Sequence, residues 1–181
     1  MRPLRYSINV TLDGCCDHTA VIPDESLHVR SSELIENSGG MLLGRVTYRM
    51  MEEAWRPSAA EVGRPDWMEP FAQAITDVHK YVVSSTLSHV DWNSTLLSGD
   101  LRESVLELKE QPGKPIVTGG VQLPRALASM GLIDEYEMVV HPRIAGRGPY
   151  LMAGLAQHVD LRLTQTVEYD SGFVALRYVA V

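Results

Sequence analysis

Three short stretches of the chain set small or hydroxyl-bearing residues where a strand gives way to a turn or a helix. They are LLGRVTY, with Gly44, Arg45, Val46 and Thr47; VVSSTL, with Ser84, Ser85 and Thr86; and VTGGVQL, with Gly119, Gly120, Val121, Gln122 and Leu123. Backbone amides at a helix start point along the axis, and the helix dipole favours negative charge there. Glycine removes the side chain that would keep an oxyanion away from those amides. An arginine adds a planar fork of donors, and serine or threonine hydroxyls add more. The chemistry these residue types permit is the holding of a phosphate. Each stretch taken singly is also what a tight turn looks like, and two stricter patterns are missing. There is no G-x-G-x-x-G, and GGVQLPR lacks the Lys-Ser/Thr of a P-loop.

Other reactive types are sparser. The cysteines, Cys15 and Cys16, are adjacent, which rarely makes a disulfide, and two thiols are no structural zinc set. Free thiols in a loop are expected. His18, His79, His89, His141 and His158 are scattered with no i, i+4 pair, so no metal site is expected. Arg147, in AGRGPY, could meet a substrate phosphate or lie in an ordinary glycine turn. Trp55 and Trp67 bracket a Pro/Gly/Ala-rich stretch over 56–65 and could wall a substrate, pack in the core or meet a second copy.

The elements that position these residues follow from hydrophobic period and punctuation. Alternation over Leu4–Leu12 predicts a strand that Asp13–Gly14 ends. Acids after Pro23 predict a helix over Asp24–Asn37, stopped by Asn37–Ser38–Gly39. Gly40–Gly44 reads as a buried strand and Arg45–Trp55 as the helix after it. A short helix is expected over Trp67–Thr76, a strand over Lys80–Ser84 and an amphipathic helix in DLRESVLELKE. PIVTG reads as a strand, GVQLPRALASMG as a helix stopped by Gly131, and EYEMVVHP as a strand stopped by Pro142. A Gly/Pro-rich loop and two strands around Asp170–Gly172 close the chain. Strand–helix alternation with a final hairpin predicts an α/β fold, with a mostly parallel central sheet flanked by helices and an antiparallel C-terminal edge. One domain over 1–181 is the simplest organisation.

Composition narrows the function classes. The chain has 181 residues, 45% hydrophobic and 22% charged, as a globular protein with a sizeable core requires. A net charge of −7 without a Lys/Arg block argues against a nucleic-acid partner. No apolar run approaches membrane-spanning length and the first residues have no signal-peptide pattern, so no membrane partner and a cytoplasmic location are expected.

Taken together and in order, INVTLDG, LLGRVTYRMMEEAW, KYVVSSTL, IVTGGVQLPRAL, GLIDEYEMVVHPRIAGRG and GFVALRY resemble the dihydrofolate reductase superfamily. The resemblance spans nearly the whole chain. It is closer to the branch that shares its fold with the reductase domain of bacterial riboflavin biosynthesis proteins. It implies a dihydrofolate-reductase-like fold, a homodimer and an NADPH-dependent oxidoreductase that passes a hydride to a C=N or C=O carbon. The substrate implied is a small heterocycle, such as a ribosylamino-pyrimidine. Residue by residue, Gly44, Arg45, Val46 and Thr47 would lie by the adenosine end and pyrophosphate. Ser84, Ser85 and Thr86 would surround the adenosine and its 2′-phosphate. Gly119 to Leu123 would hold the pyrophosphate, with Gly119–Gly120 joined by a cis peptide.

The resemblance also implies where to look for a catalytic acid. Dihydrofolate reductases carry one early in the first helix, where His28 stands here, which weighs against dihydrofolate as substrate. The TLDG ending of the first strand makes Asp13 the candidate acid near the substrate, or a simple turn residue. His28 could deliver a proton near neutral pH or be a structural histidine. Alternatives are a true dihydrofolate reductase and a nucleotide-binding module without catalysis. A zinc deaminase motif, H-x-E with P-C-x-x-C, is not in the sequence.

Overall fold

The computed structural model describes residues 1–57 and 64–181, so most of the loop expected over 56–65 lies outside the described residues. Among the described residues eight strands and five α-helices follow one another as β1 Leu4–Thr11, α1 Glu25–Glu36, β2 Met41–Gly44, α2 Arg45–Trp55, α3 Glu69–Asp77, β3 Lys80–Val83, β4 Ser94–Leu97, α4 Leu101–Glu110, β5 Ile116–Thr118, α5 Gln122–Ser129, β6 Glu135–His141, β7 Leu161–Glu168 and β8 Val174–Ala180. The backbone divides into two compact units, one of Met1–Arg2 with Pro23–Val117 and one of Pro3–Ile22 with Thr118–Val181.

In the first unit β4, β3 and β2 lie side by side and parallel, with Gly44 opposite Val83 and Val83 opposite Leu97. Ile35, Leu43, Tyr48, Ile75, Val82 and Trp92 form its buried core, with Met51, Trp55 and Phe71 packed around them. Helix α1 begins where Asp24 accepts the Leu27 amide at 2.8 Å, and α4 begins where Asp100 accepts the Glu103 amide at 2.9 Å. These side-chain caps are the local reason both helices start where the sequence says. Lys80 is fully buried, and its Nζ donates to the carbonyls of Val78 at 2.9 Å and Thr76 at 3.3 Å, closing the C-terminal end of α3. Burial pushes its ammonium down to about 8.

The second unit carries β1 parallel to β6, then β8 and β7 antiparallel beyond it, in the order β1-β6-β8-β7. Its cross-strand partners are polar on one face. Arg5 pairs with Glu135 at 2.6 Å, Ser7 donates to Glu137 at 3.0 Å, and Arg177 grips Glu137 through Nε at 3.0 Å and Nη2 at 2.6 Å. On the other face Tyr6 meets Tyr136 edge to face, ring centroids 6.3 Å apart.

The expected class therefore holds: mainly parallel strands, flanking helices and an antiparallel C-terminal pair. One strand was not legible. STLL, as β4, is a four-residue strand whose burial shows no clean alternation, and it is defined by its pairing with β3.

Candidate functional site

Helix α2 follows β2 without a break, and its N-cap, Gly44, makes no side-chain capping bond. Helix α5 follows β5 after the two glycines, and its N-cap, Val121, makes none either. The contrast with the aspartate-capped α1 and α4 is chemical. An uncapped helix start leaves its first amides to solvent or to a ligand, and both of these starts stand beyond the carboxyl end of a strand, β2 or β5.

Around α2 the donor set grows. Arg45 is exposed, and its guanidinium has no hydrogen bond or ion pair among the described residues. Val46 is also exposed, and Thr47 is half-buried. Because β2 and β3 run parallel with Gly44 opposite Val83, Ser84, Ser85 and Thr86 leave β3 at the edge where α2 begins. Ser84 Oγ accepts the amides of Thr86 at 3.1 Å and Leu87 at 3.0 Å, so it is a turn former. Ser85 and Thr86 are exposed. The first unit thus brings Gly44–Thr47 and Ser84–Thr86 to one strand edge.

The glycine turn belongs to the second unit. Gly120 has φ 87°, a conformation that favours glycine, and its carbonyl accepts the Tyr6 phenol at 3.0 Å. The expected cis bond between Gly119 and Gly120 is not formed. Among the described residues the cis peptide is Gly148–Pro149, and the glycine pair turns the chain through the positive φ of Gly120 instead. Tyr6 was legible only as an inward residue of β1, because its partner lies 114 positions away. Burial pushes its phenol well above the usual tyrosine range, so it donates and does not ionise.

Asp13 also lies in the second unit and is a clamp. Its carboxylate accepts the Thr11 hydroxyl, the Ala145 amide at 3.0 Å and the Gly146 amide at 2.8 Å. The Thr11 bond first, then the two amides, hold it down to about 2. At neutral pH it is ionised and has no proton to give. The neighbouring backbone is stitched to the same loop: Cys16 N donates to Pro149 O at 2.7 Å and Leu151 N to Gly14 O at 2.8 Å. Both cysteines are free and buried, and burial pushes the Cys16 thiol up to about 11, far from a reactive thiolate.

A folded pKa below the unfolded one gives a stabilisation that is complete above the ordinary carboxylate range and is lost as pH falls toward 2. The acid limb of unfolding should therefore flatten in Asp13→Asn. An acid titration followed by circular dichroism checks this, and superimposable limbs for both proteins would contradict it.

His28 sits among aromatic rings of the first unit: Trp67 at 4.8 Å, Phe71 at 5.6 Å and Trp55 at 6.1 Å between centroids. Its Nδ1 donates to the Asp24 carbonyl at 3.0 Å, which leaves Nε2 as the exchangeable atom. Trp55 and Trp67 are thus packed around a histidine, with Arg64 stacked 4.7 Å over Trp55. Among the described residues no cluster of three or more His, Cys, Asp or Glu could hold a metal ion. No helix among them is long and apolar enough to cross a membrane.

Comparison with known proteins agrees with the architecture. YyaP, an uncharacterized protein of Bacillus subtilis (strain 168), is 26% identical over 185 residues, covering 98% of this chain and 94% of that one. A putative riboflavin biosynthesis protein from Shewanella sp. PV-4 has a TM-score of 0.75 at 17% identity, over 100% of this chain and 99% of its own. A pyrimidine reductase-like protein from Corynebacterium diphtheriae gives 0.70 at 13%, over 99% and 92%. The Thermotoga maritima diaminohydroxyphosphoribosylaminopyrimidine deaminase/5-amino-6-(5-phosphoribosylamino)uracil reductase gives 0.68 at 16%, over 99% of this chain and 57% of that one. At such identities the structural likeness speaks for the fold, which is dihydrofolate-reductase-like. The model of the RibD C-terminal domain matches residues 3–175, nearly the whole of an α/β chain with uncapped helix starts beyond its parallel strands, and the chain belongs to the RibD C-terminal domain family.

Proposed function

We propose that this chain is an NADPH-dependent reductase of a small heterocyclic substrate, working as one domain over 1–181, as a homodimer in the cytoplasm. The observation that carries the cofactor half is that α2 and α5 start uncapped right after strand ends, whereas α1 and α4 are capped by their own aspartates and α3, also uncapped, follows a 3₁₀ turn. Each start suits a phosphate by itself: α2 through open amides, Gly44 and an exposed Arg45 without a partner among the described residues, and α5 through open amides beside its glycine pair. Gly44, Arg45, Val46 and Thr47 take the adenosine end, Ser84, Ser85 and Thr86 the 2′-phosphate, and Gly119, Gly120, Val121, Gln122 and Leu123 the pyrophosphate.

NADPH would supply a hydride for a C=N or C=O carbon, and the protein aligns the partners and keeps water out. The proton that completes the reduction comes from His28 Nε2 or from water, not from Asp13. Asp13 instead fixes the 145–146 loop. The reactions in the name of the Thermotoga protein, and the pyrimidine chemistry in that of the Corynebacterium one, make a ribosylamino-pyrimidine the first substrate class to try.

Arg45→Ala tests the assignment of the 2′-phosphate. NADPH affinity should fall by about 1.5–3 kcal/mol, the scale of a hydrogen bond to a charged group. Affinity for NADH, which lacks that phosphate, should stay unchanged. Equal losses for both nucleotides, or none, would remove Arg45 from the site.

A further inference from the structure

Strands β6, β8 and β7 present two unlike faces. In an antiparallel pair, residues directly opposite each other share a face, so the registers sort the side chains. Tyr178 stands between Tyr136 and Leu163, Leu176 between Met138 and Thr166, and Val174 between Val140 and Glu168. The other face carries Glu135, Glu137 and Arg177. An antiparallel sheet commonly turns its polar side chains to water and its apolar ones to the core. Here exposure runs the other way. On the polar face Glu137 is 2% exposed, and Val139 and Ala175, the next opposed pair, are buried. On the apolar face Met138, Val140, Val174, Leu176 and Tyr178 are all half-buried, and Leu163 is 50% exposed.

The apolar face measures about 14 by 24 Å in outline, from three strands about 4.8 Å apart and a rise of about 3.4 Å per residue. Apolar surface on the scale of a few hundred Å² marks an interaction site more often than it stands open to water. Two features choose its occupant. The outer edge of β7 is a poor template for an added strand, because a bulge between Leu163 and Gln165 interrupts it and Arg162 and Glu168 stand near its ends. A surface that lies flat on the face fits better than a peptide that extends the sheet. Across β6, β8 and β7 that face carries one charged side chain, Glu168, at its rim. It therefore offers a foreign partner little electrostatic key. A copy of itself, related by a two-fold axis, can lie against it without setting like charges together, and homodimer interfaces are the more apolar kind.

We propose that the apolar face of β6, β8 and β7 is the surface through which two copies of this chain pair, sheet against sheet about a two-fold axis. The inference rests on the homodimer of the reading above, to which it adds the interface, and it does not depend on the cofactor.

Sedimentation equilibrium of wild type, Leu163→Glu, Thr166→Glu and Gln165→Glu tests it, with circular dichroism to establish that each variant is folded. Leu163 and Thr166 are exposed on the apolar face, and Gln165 is their exposed neighbour on the other. Wild type should have the mass of two chains. A carboxylate added to the apolar face loses water and meets its own copy across the axis. The dissociation constant of Leu163→Glu should rise about a hundredfold or more, and that of Thr166→Glu in the same direction. Gln165→Glu adds the same charge and should pair as wild type does. If Leu163→Glu does not fold, Thr166→Glu carries the test. A wild type with the mass of one chain would overturn the interface and the homodimer together. A two-chain wild type that the folded apolar-face variants leave intact, or that Gln165→Glu weakens equally, would overturn the interface and leave the homodimer standing.

Discussion

Replacing Arg177 by leucine is expected to lower the stability of the chain by roughly 3–5 kcal/mol. Glu137 is only 2% exposed, on the middle strand of β1-β6-β8, and Arg177 meets one of its oxygens through two nitrogens. Without the guanidinium, a carboxylate with almost no access to water loses the countercharge that meets it through two nitrogens. The pair itself adds little compared with an apolar pair of similar volume, because burying two charges offsets most of their attraction. The double substitution Glu137→Leu with Arg177→Leu should therefore recover most of the loss. Urea unfolding of the two single variants and the double one measures this. Single and double variants equally unstable would mean that the face needs its polar groups for shape and not for charge balance.

Gly120→Val is expected to strike both the fold and the cofactor. A β-branched residue at φ 87° is strained by about 1–3 kcal/mol. On the proposed reading any side chain there also stands beside amides that a phosphate would approach, and each hydrogen bond lost to a charged oxygen is worth about 1.5–3 kcal/mol. NADPH affinity should fall at least about tenfold, beyond what strain explains. Gly131→Ala is the control. Gly131 has φ 66° at the far end of α5, and no atom lies within 4 Å of an added Cβ. It carries comparable strain away from the amides, so it should lose stability and keep NADPH. If both variants bind NADPH equally well, the glycine pair is a turn and no more.

Much of the fold was legible because its signals are local. Asp24 and Asp100 cap helices three residues on, Arg45–Trp55 keeps one helical face, and Gly131 ends α5 where the apolar period ends. Strand β4 failed that rule, since STLL acquires its identity only beside β3. The site was half legible for the same reason. Bare backbone shows in a sequence as glycine, so Gly44, Gly119 and Gly120 stood out. What those glycines contact does not show. Tyr6 reaches Gly120 across 114 positions, and the loop amides that hold Asp13 at low pKa lie 132 and 133 positions on. Asp13 could thus be picked as the notable acid of its turn, while the bonds that keep it ionised come from folding. His28 was picked as a histidine on a helix, but the rings of Trp55, Trp67 and Phe71 that surround it come from α2, a 3₁₀ turn and α3. The cis glycine pair was carried over from a resemblance, and the chain makes its turn with a positive φ instead.

A calorimetric titration of the unsubstituted protein with NADPH, set beside the same titration with NADH, bears most directly on the proposal that the chain is an NADPH-dependent reductase. The account predicts saturable binding of NADPH, tighter than NADH by about tenfold or more, the share of a charged hydrogen bond to the 2′-phosphate. Equal affinity for the two nucleotides would contradict the roles given to Arg45 and Ser84–Thr86. Binding of neither would mean that the open helix starts of α2 and α5 serve something other than a nicotinamide cofactor.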